Sequence, residues 1–317
     1  MEKIAFVFPG QGSQYVGMGK EFYDRYPAAR QVFLDADERL GMSLSQLCFA
    51  GSEEDLRLTV NTQPAILTTS IAIFKTLQTE CDLHFAYTAG HSLGEYSALV
   101  AAGSLSFQDA VWLVRQRGAF MLEAVPAGQG TMAAIIGLDQ EQVKKLCREA
   151  SAVGTVEPAN FNAPGQTVIA GTAKAVENAM ELAKSSGAKR ALPLSVSGPF
   201  HSSLLQPASD KLKAALSQVQ ISSARIPVVA NISAESETDP GEIRENLIQQ
   251  VSNPVLWQQS VEKLIQLGVT AFVEIGPGKV LSGLIKKIDK NAKMYNIEDV
   301  ATYQETIAAL LGGEKKC

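Results

Sequence analysis

The chain opens with five consecutive apolar residues, Ile4-Ala5-Phe6-Val7-Phe8, cut off by Pro9-Gly10. A run that short with no polar face fits a strand buried on both sides in a parallel sheet, opening into a loop. Helical spacing follows over 21–39 and again over 64–77, where Pro64 suits a first-turn position because its missing N–H costs nothing there. Residues 85–89 form a second short strand that runs into Gly90-His91-Ser92-Leu93-Gly94 and then a helix ended by Gly103. In the helix over 107–125, Phe107, Val111, Val114, Gly118, Met121 and Val125 recur on one inward face.

From Thr131 the pattern tightens into strand 132–136, helix 140–150, strands 156–160 and 167–170, helix 173–185 and strand 189–195. That βαββαβ order is the signature of a ferredoxin-like α+β unit, with Gly137, Pro164-Gly165 and Gly187 at its turns. Beyond it, strands 228–231 and 271–275 and helix 255–267 resume an α/β pattern. The expected architecture is therefore α/β: a larger, discontinuous unit built on a mostly parallel sheet (1–125 and 204–317), with a smaller domain (126–203) inserted in it.

Charge narrows the function classes. Against 28 Lys and Arg stand 33 Asp and Glu, a net charge of -5, which argues against nucleic acid as the partner. No apolar run nears the ~18 residues of a membrane span, and the first apolar stretch is too short for a signal sequence. A cytoplasmic monomer that touches no membrane is expected. Cys48, Cys81, Cys147 and Cys317 are scattered without ligand-like spacing, so neither a zinc site nor a disulfide framework is expected, and the 312–317 tail is expected to be disordered.

The chemistry centres on Gly90-x-Ser92-x-Gly94. A serine exposed at a sharp strand-to-helix turn needs neighbours without side chains, and the helix start supplies free N–H groups beside its hydroxyl. The same pentapeptide also fits an ordinary turn serine; its strand-and-helix context favours a nucleophile. A serine nucleophile needs a base. Of three histidines, His91 lies inside the turn with its side chain directed away, and His84 lies ahead of the feeding strand. His201, in Ser197-Gly198-Pro199-Phe200-His201, sits on a loop able to fold back over the turn. No acidic residue stands out as its partner, so a dyad held by a backbone group is expected. The loop Pro9-Gly10-Gln11-Gly12 follows the first strand at the edge where open α/β sheets bind ligands. The N–H of Gln11 can join that of Leu93 in an oxyanion hole, although a plain turn fits equally well on local grounds. Arg115 and Arg117 border the inward helix face, and periodicity does not choose between them as a carboxylate clamp or as members of internal salt bridges.

Phe8-Pro9-Gly10-Gln11-Gly12-Ser13-Gln14, Thr62-Gln63-Pro64-Ala65, Gly90-His91-Ser92-Leu93-Gly94-Glu95, Gln116-Arg117-Gly118, Asn253-Pro254-Val255 and Gly276-Pro277-Gly278, in this order along nearly the whole chain, resemble the bacterial malonyl-CoA:acyl carrier protein transacylases of type II fatty acid synthesis. The resemblance implies a hydrolase-like domain carrying the inserted one, with the site in the cleft between them. It implies Ser92 as nucleophile, His201 as base, Gln11 and Leu93 as oxyanion donors, and Arg117 rather than Arg115 as the clamp on a malonyl carboxylate. It also implies that the Gln250 main-chain carbonyl accepts from His201. Malonyl-CoA and an acidic acyl carrier protein would be substrates and partners, no cofactor or metal would be needed, and Lys189, Arg190, Lys286 and Lys287 are candidates for docking the carrier. Competing readings are a polyketide-serving acyltransferase, a thioesterase or esterase, and a silent docking module.

Overall fold

The structure, a computed structural model, describes residues 2–81, 83–126 and 128–311, so the 312–317 tail lies outside the described residues. Its strands are β1 (Ile4–Phe8), β2 (Tyr87–Gly90), β3 (Gly130–Ile136), β4 (Val156–Ala163), β5 (Gln166–Thr172), β6 (Arg190–Pro193), β7 (Val228–Val229), β8 (Ser236–Glu237), β9 (Ala271–Ile275) and β10 (Lys293–Ile297). Six of them form one sheet in the order β10-β9-β1-β2-β7-β8, parallel throughout except for the terminal β7–β8 pair. The apolar run that begins the chain is its centre, buried along its whole length as a strand covered on both faces must be. Register sets Phe8 beside Gly90. The loop after β1 and the turn after β2 therefore leave the sheet side by side at its C-terminal edge.

The second sheet is antiparallel, in the order β4-β5-β3-β6. Helices Gln140–Ala150 and Ala173–Ser185 cover one face, where Ala133, Ile135, Val143, Leu146, Ile169 and Val176 make a core of their own. Alternation along the strands turns Met132, Val168 and Ala170 the other way, into the core of the main sheet's helices. An isolated bridge pairs Asn160 of β4 with Val255, joining the two sheets' units through backbone as well as side chains.

Several boundaries differ from the sequence reading. The helical stretch over 21–39 is two helices, Lys20–Arg25 and Pro27–Leu40, because Pro27 holds Tyr26 extended between them. The helix expected to begin at Pro64 runs Thr59–Glu80 and carries Pro64 inside it. Its first turns look polar in sequence, yet Thr59, Thr62 and Gln63 are buried there. Strand β7 is only two residues long, since the chain enters a turn over 231–233, closed by the Ala234 N–H on the Ala230 carbonyl, where Asn231 meets the turn after β2. Cys48 and Cys147 are free and buried, and Cys81 Sγ lies 3.3 Å from the Tyr303 hydroxyl. Among the described residues no helix is long and apolar enough to cross a membrane.

Candidate active site

The turn after β2 is as tight as its glycines require. A Cβ on Gly90 would lie 2.0 Å from the Gly94 carbonyl oxygen, and one on Gly94 would lie 2.1 Å from the Phe8 carbonyl oxygen. Between them Ser92 takes a left-handed backbone, φ 53°, that a non-glycine residue adopts only under constraint. The constraint is visible: Asn231 Oδ1 accepts from the Ser92 N–H at 2.6 Å, while Asn231 Nδ2 donates to the Gly90 carbonyl at 2.7 Å. Helix Gly94–Ala101 starts at once, with Leu93 capping it. Among the described residues, neither the Leu93 N–H nor the Gln11 N–H meets a protein acceptor. The Gln11 side chain is anchored elsewhere, its Nε2 donating to Thr59 Oγ1 at 3.1 Å.

The connection after β6 brings His201 over this turn. Its Nε2 lies 2.7 Å from Ser92 Oγ and its Nδ1 2.8 Å from the Gln250 carbonyl oxygen. A carbonyl can only accept, so Nδ1 carries the proton and Nε2 is left with a lone pair facing the hydroxyl. Burial, and secondly the Arg117 guanidinium, lower the His201 pKa from its ordinary 6.5 to about 3. His201 is also left-handed, at φ 59°. His91 turns away to Asn162 Oδ1 at 2.8 Å, and His84 is exposed ahead of β2.

Arg117, on helix Phe107–Ala124, is the largest buried charge at the site. Its Nη1 donates to Gln63 Oε1 at 2.8 Å, and its Nη2 to Gln250 Oε1 at 2.9 Å and to Ser92 Oγ at 3.2 Å. Its guanidinium lies over the Tyr96 ring, 5.8 Å from the centroid. Among the described residues no carboxylate forms an ion pair with it. Arg115, half-buried, turns to Asn61 Oδ1 at 3.3 Å instead. A cleft of about 110 Å³ runs over Ser92, His201 and Arg117 and is closed by Met121, Met132 and Phe200. A larger cleft of about 680 Å³, beside Gln31, Lys75 and Arg225, contains none of these groups. Among the described residues no group of three or more His, Cys, Asp or Glu could hold a metal ion.

Three buried residues at the site carry no role in the sequence reading: Gln63, Asn231 and Glu95. Burial raises the Glu95 pKa, opposed by the N–H of Asn231 and the amide of Gln250. One signal was present, since Glu95 is the only charged residue in the helix Gly94–Ala101. Asn231 lies 139 residues from the serine it holds, and nothing local marks it.

Residues 5–310 match the model of the acyl transferase domain. The malonyl CoA-acyl carrier protein transacylase of Bacillus subtilis (strain 168) is 55% identical over 98% of either chain. The structure superposes with a TM-score of 0.94 on the acyl-carrier-protein S-malonyltransferase of Burkholderia pseudomallei 1710b, 49% identical, covering 96% of this chain and 99% of that one. It does so equally, at 0.94 and 44% identity over 98% and 100% of the chains, on a malonyl-transacylase in complex with a type II PKS acyl-carrier protein. With the family model spanning nearly its whole length and relatives of this identity on either side of it, the chain belongs to the malonyl-CoA:acyl carrier protein transacylases.

Proposed function

We propose that this enzyme moves a malonyl group from malonyl-CoA to the phosphopantetheine thiol of acyl carrier protein through an ester on Ser92, supplying the extender unit of fatty acid synthesis. The observation that carries the reading is the meeting of His201 Nε2 and Arg117 Nη2 at one oxygen, Ser92 Oγ. One nitrogen can take the proton of that hydroxyl. The other belongs to a buried cation that forms no direct ion pair among the described residues, buried Glu95 acting on it only across the Gln250 amide, and a substrate carboxylate would complete it in the paired geometry a guanidinium favours.

In the first half-reaction His201 Nε2 takes the Ser92 proton as Oγ attacks the thioester carbonyl, and the Gln11 and Leu93 N–H groups receive the charge that builds on the carbonyl oxygen. The C–S bond breaks, and the proton on His201 passes to the departing CoA sulfur. In the second half-reaction the carrier's thiol gives its proton to His201 and attacks the Ser92 ester; the C–O bond breaks and the proton passes from His201 to Oγ, restoring the hydroxyl, so the kinetics are ping-pong. The Gln250 carbonyl keeps Nδ1 protonated throughout, which is how a site without a third acidic member can hold the imidazole in its reactive tautomer. No cofactor or metal enters these steps. Every group used comes from one chain, so a monomer suffices.

The β6-β3-β5-β4 order with two helices on one face supports a ferredoxin-like domain (126–203), set into a hydrolase-like one (1–125 and 204–317) whose nucleophile lies at the C-terminal edge of its parallel sheet.

Intact-mass measurement after mixing with malonyl-CoA tests the function. A gain of one malonyl unit, absent from Ser92→Ala and discharged by holo carrier protein, is expected; a wild-type chain that stays unmodified while CoA accumulates would point to hydrolysis or to another nucleophile. A second reading, service to a polyketide carrier, is favoured by the solved relative held to a type II PKS acyl-carrier protein. Discharge rates onto the two kinds of carrier protein, measured side by side, separate them.

A further inference from the structure

Glu95 sits one residue into the helix that follows Ser92, fully buried, and the mechanism above does not use it. One of its oxygens, Oε2, accepts two hydrogen bonds: from the Asn231 N–H at 2.8 Å and from Gln250 Nε2 at 3.1 Å. These two residues are the arms that hold the site. Asn231 grips the Ser92 N–H and the Gly90 carbonyl from below the turn. Gln250 holds His201 through its carbonyl, Arg117 through Oε1 and the Ser92 carbonyl through Nε2.

The orientation of the Gln250 amide follows from chemistry. Arginine only donates, so the atom facing Arg117 must be the amide oxygen, and Nε2 then has to face acceptors. Glu95 Oε2 and the Ser92 carbonyl are those acceptors. Were Glu95 unable to accept, the amide could turn over and present Nε2 to Arg117, where two donors would oppose each other. Oε1 of Glu95 has no partner among the described residues, so the binding rests on the single oxygen that bridges both arms.

We propose that Glu95 is a positioning residue for acyl transfer: through one carboxylate oxygen it locks Asn231 under the nucleophile and sets the Gln250 amide that aims Arg117. The inference rests on the malonyl-transfer reading for its assay. Because Gln250 links Glu95 to Arg117, the loss should fall harder on a substrate with a free carboxylate than on one without.

The test measures Ser92 ester formation by intact mass, with malonyl-CoA and with acetyl-CoA, in Glu95→Leu, Glu95→Gln and Glu95→Asp. Glu95→Leu, which cannot accept, should malonylate about 10²-fold more slowly than wild type, the scale of a misplaced reacting group, and its malonyl-to-acetyl rate ratio should fall. Glu95→Gln, which keeps a carbonyl oxygen able to take both bonds, should recover to within about tenfold of wild type, since the acceptor rather than the charge is what the arms need. The proposal is overturned if Glu95→Leu acylates at the wild-type rate, if both substrates slow in equal proportion, or if Glu95→Gln is as slow as Glu95→Leu. Should Glu95→Leu not fold, Glu95→Asp keeps the question open to refutation. Its carboxylate is one methylene short of the two arms, so it should trail Glu95→Gln, and the reverse order would also overturn the proposal. A wild-type chain that forms no malonyl ester would instead sink the function reading, whatever the Glu95 variants do.

Discussion

Arg117 Nη2 donates to Ser92 Oγ at 3.2 Å, on the oxygen that also faces His201 Nε2. The guanidinium thus places one N–H on Ser92 and one each on Gln63 and Gln250, while its Nε–H has no partner among the described residues. A carboxylate entering the cleft would compete for a donor already shared.

Removing that donor should separate two substrates. Arg117→Ala is expected to cost ~3–5 kcal/mol in kcat/KM for malonyl-CoA, the scale of breaking a buried ion pair. Acetyl-CoA should lose much less, because it has no carboxylate to leave unpaired. Arg117→Lys should rescue only in part, a point charge being no substitute for two parallel N–H bonds. The check is the malonyl-to-acetyl ratio in these variants and in Arg115→Ala; a preference that survives at 117 and collapses at 115 would transfer the clamp to Arg115.

The nucleophile and base can be told apart by what they spare. Ser92→Ala should fold and lose all labelling by malonyl-CoA. His201→Ala should acylate at least ~10³-fold more slowly while still binding malonyl-CoA. A His201→Ala rate within tenfold of wild type would remove the base assignment, and calorimetric titration with malonyl-CoA checks the binding.

The lowered His201 pKa has a sign that can be read twice. Because the imidazole is neutral in the fold down to about 3, the acid limb for Ser92 acylation in the free enzyme should lie well below pH 6.5. A bound malonyl carboxylate offsets Arg117, so the limb for the complex should lie higher with malonyl-CoA than with acetyl-CoA; quench-flow profiles with both thioesters compare them. For stability, a depressed folded pKa means that the unfolded chain binds the extra proton between about 3 and 6.5. The contribution is therefore intact above 6.5 and is lost as pH falls through that window. The urea midpoint of wild type should drop further from pH 7 to pH 4.5 than that of His201→Ala.

Carrier docking should involve exposed cations, and the structure ranks two of the candidates. Lys286 Nζ is occupied by the carbonyls of Lys290 and Ala292, at 3.3 and 2.6 Å, whereas Lys287 Nζ reaches across to Gln166 Oε1 on β5 of the second sheet. Lys189 and Arg190 are exposed at that sheet's β6 edge. Lys287→Glu should raise the carrier protein's KM more than Lys286→Glu does, in a salt-sensitive way, and leave self-malonylation unchanged. Equal KM values for wild type and both variants would exclude this face.

What could be read from the sequence divides by distance along the chain. Gly90 and Gly94 are legible because the turn they serve is local, and β1 because a strand with no polar face has few other fates. The order of elements over 130–193 is legible for the same reason, each helix being bounded by its own signals, such as the Asp139–Gln142 capping box. The groups that hold the site are another matter. Asn231 meets Ser92 across 139 residues and Gln250 meets it across 158, and an amide in a loop or a helix end looks like any other until the chain has folded. Thr59 to Gln63 misled for a related reason: polar residues on a buried turn are solvated by the protein, and sequence pattern assigns them to water.

Ser92 and His201 share a left-handed backbone, at φ 53° and 59°. A conformation of that kind costs about 1–3 kcal/mol per residue when a side chain is present. The two residues proposed to react are thus held in place against their own preference, and the rest of the fold supplies the force. A glycine at position 92 would relieve that force at one end, so Ser92→Gly should melt above Ser92→Ala by about 2 °C while being equally inert. With Ser92 as the proposed nucleophile, a more comfortable backbone at that position and an active enzyme are alternatives, and the chain has kept the tension.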